Sequence, residues 1–177
     1  PEKYFENNTN NAIKLFNICK KNGLTKIVFS STAAAYGLVS EDKLIDEHTN
    51  LNPQNPYAES KIKTEKFLFD NKDNFQFIIL RYFNVAGADK KLRSGQISKN
   101  STHLIKKISE VVVGKRDQIK IFGNDYNTPD GTAIRDYIHV SDLADIHVEV
   151  SKYLLKNLES NLFNCGYGNG FSVLDVV

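Results

Sequence analysis

Two kinds of apolar pattern run along this chain. The first is helical. Phe5, Ala12, Ile13, Leu15, Phe16, Ile18 and Cys19 give a broad apolar face over residues 2–22, and Asn22-Gly23 supplies a stop. Residues 57–71 carry Ala58, Ile62, Phe67, Leu68 and Phe69 among polar positions, and 101–114 carry Leu104, Ile105, Ile108, Val111 and Val112 at helical spacing. A fourth helix is expected from a cap at Ser141 or Asp142 to about Lys156, and Ser172 is placed to cap a last one. The second pattern is the short continuous run. Ile27-Val28-Phe29 and Phe77-Ile78-Ile79-Leu80 read as strands buried on both faces, as in a parallel sheet. Residues 118–123 alternate like a strand with one wet face, 134–140 are extended, and 161–166 form a last short strand. Residues 38–56, 88–100 and 124–132 are loop-like, and Gly166, Gly168 and Gly170 read as a mobile turn. Strand–helix alternation of this kind predicts an α/β fold with a doubly wound parallel sheet.

One feature fits the helical pattern poorly. Asn7, Asn8, Asn10 and Asn11 crowd the first helix, and asparagine side chains compete for backbone groups there. Either that start frays, or an inward asparagine bonds to a polar neighbour.

Composition narrows the function classes. Of 177 residues 41% are hydrophobic and 25% charged, with a net charge of +2, which is ordinary for a globular protein. Acids and bases interleave, and no basic run exceeds a pair, so neither nucleic acid nor a membrane surface is expected as a partner. The apolar runs are too short to span a bilayer. Cys19 and Cys165 are far apart and His48, His103, His139 and His147 are scattered, so reduced thiols in the cytoplasm and no metal site are expected. The chain starts at Pro1 and stops at Val177 inside helix-like segments, and the expectation is a piece of a longer protein.

The candidate chemistry lies where the strands end. Ser30, Ser31 and Thr32 close the first strand, at the carboxyl edge where open α/β sheets bind ligands. Tyr57 and Lys61 are four residues apart on one helical face. An ammonium near a phenol favours the phenolate, which can serve as a general base. Taken alone, the pair is better read as an ordinary helix start with Pro56 near its first position and Lys61 in solvent, since this spacing recurs often by chance. Gly166-Tyr167-Gly168-Asn169-Gly170 lacks the spacing of a dinucleotide fingerprint. Arg135 is open between a phosphate contact and a surface pair with Asp136.

Together these segments resemble a known family. Val28-Phe29-Ser30-Ser31-Thr32-Ala33, then Tyr57-Ala58-Glu59-Ser60-Lys61, then Leu80-Arg81-Tyr82-Phe83-Asn84-Val85-Ala86-Gly87 are similar to the ordered motifs of the extended short-chain dehydrogenase/reductase superfamily. Ile121-Phe122-Gly123-Asn124-Asp125-Tyr126, Asp130-Gly131-Thr132 and Arg135-Asp136-Tyr137-Ile138-His139-Val140 resemble its UDP-glucose 4-epimerase branch. The resemblance covers essentially the whole chain. It implies a Rossmann-like NAD-binding half over 1–92 and part of a UDP-sugar-binding domain over 93–177, with a segment near 133–166 a candidate to return to the main sheet. It implies NAD as cofactor and UDP-glucose or UDP-galactose as substrate. Tyr57 would be the base, Lys61 would lower its pKa and hold the nicotinamide ribose, and Thr32 would bond to the sugar 4′-oxygen. Asn7, Ser30, Ser31 and Tyr82 would lie at the cofactor. Asn84, His103, Leu104, Phe122, Arg135 and Tyr137 would hold the substrate. A homodimer through the helices at 2–22 and 57–71 is implied, with Phe16, Phe67 and Phe69 either as contacts or facing their own core.

Two alternatives stay open. A nucleotide-sugar 4,6-dehydratase would use the same scaffold, but its family carries an Asp-Glu pair after the strand-end Thr, where this chain has Ala33-Ala34. The other is a non-catalytic fragment or binding module. The family's glycine fingerprint precedes the part seen here, so these 177 residues alone are expected to bind NAD poorly and to turn nothing over.

Overall fold

Strand β1 (Lys26–Thr32) pairs in parallel with β2 (Gln76–Tyr82), which pairs in parallel with β5 (Asn161–Cys165), giving the order β1-β2-β5. The register sets Ser30 opposite Leu80, Ser31 opposite Arg81 and Thr32 opposite Tyr82, so alternate positions of neighbouring strands share a face. On one face Phe29, Phe77 and Ile79 bury against Phe16 of α2 (Asn11–Lys21) and Leu68 of α3 (Pro56–Asp70), with Ile27 and Phe75 in the same core. On the other face His147 of α5 (Val140–Leu155) meets Ser30 and Tyr82. Helices on both faces of a parallel sheet make the doubly wound arrangement that the pattern predicts.

The computed structural model describes residues 1–39, 44–98, 100–156 and 159–177. The predicted loops 38–56 and 88–100 contain residues 40–43 and 99, which lie outside the described ones. Two compact units are present: Pro1–Phe83 with Asp145–Cys165, and Asn84–Ala144 with Gly166–Val177. The first holds the parallel sheet. In the second, β3 (Asn84–Ala86) pairs in parallel with β4 (Ile134–His139), and β4 pairs antiparallel with β6 (Gly170–Ser172). Helix α4 (Leu104–Val112) belongs to this unit, and Ser172 caps α6 (Val173–Val176) through a capping box with Asp175.

The first helix is not frayed. α1 (Glu2–Tyr4) runs through a π-helical stretch, Phe5–Asn10, into α2. The wider turn sets Asn8 and Thr9 against α3. Asn8 Nδ2 donates to Ser60 Oγ (3.0 Å), Thr9 Oγ1 donates to the Ser60 carbonyl oxygen (2.8 Å), and Thr64 Oγ1 donates to the Asn8 carbonyl oxygen (2.6 Å). The inward asparagine is therefore Asn8. Asn55 caps α3 by accepting the Ala58 N–H at 2.9 Å, with Pro56 in the first turn.

Three expectations change and one open alternative closes. Residues 118–123 form no strand: they are largely exposed and pair with nothing among the described residues, and alternation without a partner leaves the ladder groups to water. Helix α5 starts at Val140, ahead of the expected caps, and the Ser141 N–H donates to His139 Nδ1 at 3.1 Å. The glycine-rich turn is pinned rather than mobile: the Asp136 carboxylate accepts the N–H groups of Tyr167 (3.1 Å) and Gly168 (2.7 Å). Phe16, a candidate dimer contact, is only 7% exposed and lies in its own core, stacked on Phe67 at 6.4 Å between ring centroids.

Candidate active site

In the first unit, β1 delivers its hydroxyls to the carboxyl edge of the sheet and then stops. Thr32 is extended, and its Oγ1 accepts the Ala34 N–H at 3.2 Å, which starts the 3-10 turn Ala33–Tyr36. Gly37 completes the turn at φ +69°, and a Cβ there would stand 1.9 Å from the Asn52 carbonyl oxygen, so only glycine fits. Positions 33 and 34 carry methyl groups, which supply no acid or base.

Tyr57 opens α3 beside this turn. Burial pushes its phenol above the ordinary tyrosine range, and a hydrogen bond with the Thr32 side chain pulls the other way. Tyr82 and Tyr4 add smaller upward pushes, and the Tyr4 ring lies 5.9 Å from the Tyr57 ring, edge to face. The expected lowering by Lys61 is not found. The Lys61 Nζ is 6.0 Å from the Tyr57 ring centroid and 5.2 Å from that of Phe29, and it donates to the Ser30 carbonyl oxygen at 3.0 Å. Its own pKa is lowered by burial. Desolvation is the leading cause of both shifts.

The set around Tyr57 thus comprises Thr32, Lys61, Ser30 and Tyr82. Ser30 Oγ is 3.5 Å from His147 Nε2, and the His147 ring lies 6.2 Å from the Tyr82 ring. Ser31 is separated from this group. It faces the other side of the sheet, is buried, and its hydroxyl donates to Glu65. Asn7 is exposed on the π turn. His147 escaped the sequence reading because nothing along the chain links it to residue 30. Glu65 was more accessible, lying one helical turn beyond Lys61 on the same stripe.

The second unit carries the other candidates. Asn84 stands opposite Tyr137 in the β3–β4 register. Burial raises the Tyr137 pKa, while nearby Arg135 opposes the rise. Arg135 is exposed, and its Nη1 donates to the Ile134 carbonyl oxygen at 2.7 Å. Among the described residues no ion pair joins it to Asp136, whose carboxylate is engaged with the 167–168 backbone. The surface-pair alternative for Arg135 therefore falls. His103 Nδ1 lies 2.9 Å from Gln96 Nε2, next to half-buried Leu104, and Phe122 is 84% exposed.

Lys61 offers a donor of the kind a ribose hydroxyl takes. Ser30, Thr32, Tyr57 and Tyr82 add hydroxyls at the same strand ends, so the donor set suits a nicotinamide nucleotide.

Comparison with known proteins gives three kinds of match. Residues 1–166 match the model of the NAD dependent epimerase/dehydratase family. The UDP-glucose 4-epimerase of Azospirillum brasilense is 50% identical over all of this chain, which covers 51% of that protein. The crystal structure of UDP-glucose 4-epimerase from Brucella ovis in complex with NAD superposes with a TM-score of 0.94 at 37% identity, over all of this chain and 55% of that one. The Bifidobacterium longum UDP-glucose 4-epimerase in complex with NAD⁺ and UDP gives 0.88 at 36% identity, over 99% of this chain and 53% of that one. The chain spans about half the length of the relatives it matches.

Proposed function

This chain belongs to the NAD dependent epimerase/dehydratase family, and from that premise we propose that the whole protein interconverts UDP-glucose and UDP-galactose. The observation that carries the proposal is the Tyr57 phenol beside the Thr32 hydroxyl at the carboxyl edge of β1, with Lys61 one turn on. Likeness to UDP-glucose 4-epimerases over the full chain supports the same reading.

Tyr57 takes the proton from the sugar 4′-hydroxyl and later returns it. Thr32 donates a hydrogen bond to the 4′-oxygen and holds it facing the phenol. Lys61, with Ser30 and Tyr82, holds the nicotinamide side of the cofactor. When bound there, NAD⁺ would supply the reversible hydride acceptor that oxidation and re-reduction at C4 require. Arg135 presents a fork of donors to the diphosphate, and Asn84, His103, Leu104, Phe122 and Tyr137 hold the rest of the UDP moiety. Binding energy from UDP, remote from C4, lets the flat 4-keto sugar turn over while it stays tethered.

The protein works in the cytoplasm as a homodimer through the helices at 2–22 and 57–71. Support comes from two unpaired cysteines and from apolar side chains left open on those helices, Leu15, Ile18 and Phe69. Among the described residues no helix is long and apolar enough to cross a membrane. Residues 1–177 alone turn nothing over.

Incubating full-length protein with UDP-glucose and separating the products tests the proposal. UDP-galactose is expected. A 4-keto-6-deoxy product would make it a dehydratase, and no turnover would leave a binding module.

A further inference from the structure

We infer that the buried Glu65–Arg81 pair, through Tyr36, is the positioning element that sets Tyr57 against Thr32. The inference rests on the catalytic reading of Tyr57 above. Tyr57, Lys61 and Glu65 are spaced by four and form one stripe of α3. Two consecutive residues of β1 grip that stripe: the Ser30 carbonyl oxygen accepts from Lys61 at 3.0 Å, and the Ser31 hydroxyl donates to Glu65. Arg81 of β2 bonds both carboxylate oxygens, Nε to Oε1 at 3.0 Å and Nη2 to Oε2 at 2.5 Å. Its Nη1 donates to the Tyr36 hydroxyl at 3.0 Å, and that hydroxyl donates to Asn164 Oδ1 of β5 at 2.7 Å. Tyr36 is fully buried and closes the 3-10 turn that Thr32 caps. The helix that carries the phenol and the turn that carries the hydroxyl are thus tied to one carboxylate–guanidinium pair.

Stability is a poor explanation for that pair. The Arg81 and Glu65 side chains are 5% and 2% exposed, and an ion pair so buried gains little over apolar residues of the same size. What apolar residues cannot supply is direction. Five directional bonds link α3 to three strands and a turn and oppose its sliding or rotation, and a misplacement of about 1 Å can cost about 100-fold in rate.

The test uses full-length protein and three variants. Tyr36→Phe keeps the ring and removes the link between Arg81 and Asn164. The double variant Glu65→Leu with Arg81→Met replaces the pair by apolar volume. Tyr57→Phe is the control for the reading beneath. Expected for the first two is a kcat lower by about 10- to 100-fold, with KM for UDP-glucose within about twofold and a thermal transition lowered only by the few degrees that lost buried hydrogen bonds cost. Should the double variant fail to fold, Tyr36→Phe decides. A Tyr36→Phe enzyme within about twofold of wild-type kcat would overturn the inference, as would losses of kcat, KM and Tm in parallel, which mark a structural role. If Tyr57→Phe keeps full activity, the catalytic reading fails as well. If Tyr57→Phe is inactive and Tyr36→Phe unimpaired, only the positioning role fails.

Discussion

At the scale of single residues, burial governs the ionisable groups. It raises the Tyr57 pKa and lowers that of Lys61, in each case disfavouring the charged form relative to water. From sequence, a lysine four residues from a tyrosine signals a lowered phenol. The sign reverses here because burial of the phenol dominates, while the ammonium bonds to the Ser30 carbonyl oxygen. The stripe itself was legible, since helical spacing fixes it. The partner of each side chain was not, because it depends on which strand lies beneath. Cys165 follows the same rule. Burial, with Glu47 nearby, pushes its thiol up to about 11. Its pKa is raised, so the neutral thiol's contribution to stability holds below the ordinary cysteine range and is lost as pH rises through about 11. Iodoacetamide at about pH 8, followed by mass spectrometry, is expected to label half-buried Cys19 and spare Cys165. Equal labelling would contradict the burial.

At the scale of elements, polar side chains do work that the hydrophobic pattern does not announce. The asparagine-rich start of the first helix is a π turn that keys into α3 through Asn8, Thr9 and Thr64. Thr9→Val should lower stability by about 1–2 kcal/mol, because it removes a buried donor from the Ser60 carbonyl oxygen. Thermal unfolding of the full-length variant checks this, and an unchanged Tm would mean that the contact is not formed. β1 and β2 were readable because each is a dense apolar run that a parallel sheet buries. β6 was not, since Gly170-Phe171-Ser172 has no strand signature and pairs only because β4 lies beside it. Residues 118–123 carry the opposite case, a good alternation with no partner among the described residues.

At the scale of the whole molecule, the apolar surface left open on α2 and α3 is the feature to explain. Leu15 is 56% exposed, Ile18 58% and Phe69 46%, whereas Phe16 fills the core. The proposed homodimer covers the first three. Light scattering of the full-length protein is expected to give a dimer, and the double change Leu15→Glu with Ile18→Glu a monomer. A wild-type monomer at micromolar concentration would contradict the assembly.

The central claim is that Tyr57 moves the proton of the sugar 4′-hydroxyl. Its most direct test is Tyr57→Phe in the full-length protein, with turnover of UDP-glucose and UDP-sugar affinity measured side by side. The account predicts that kcat falls by at least about 100-fold while the UDP-sugar still binds. An unchanged kcat would remove Tyr57 from the mechanism.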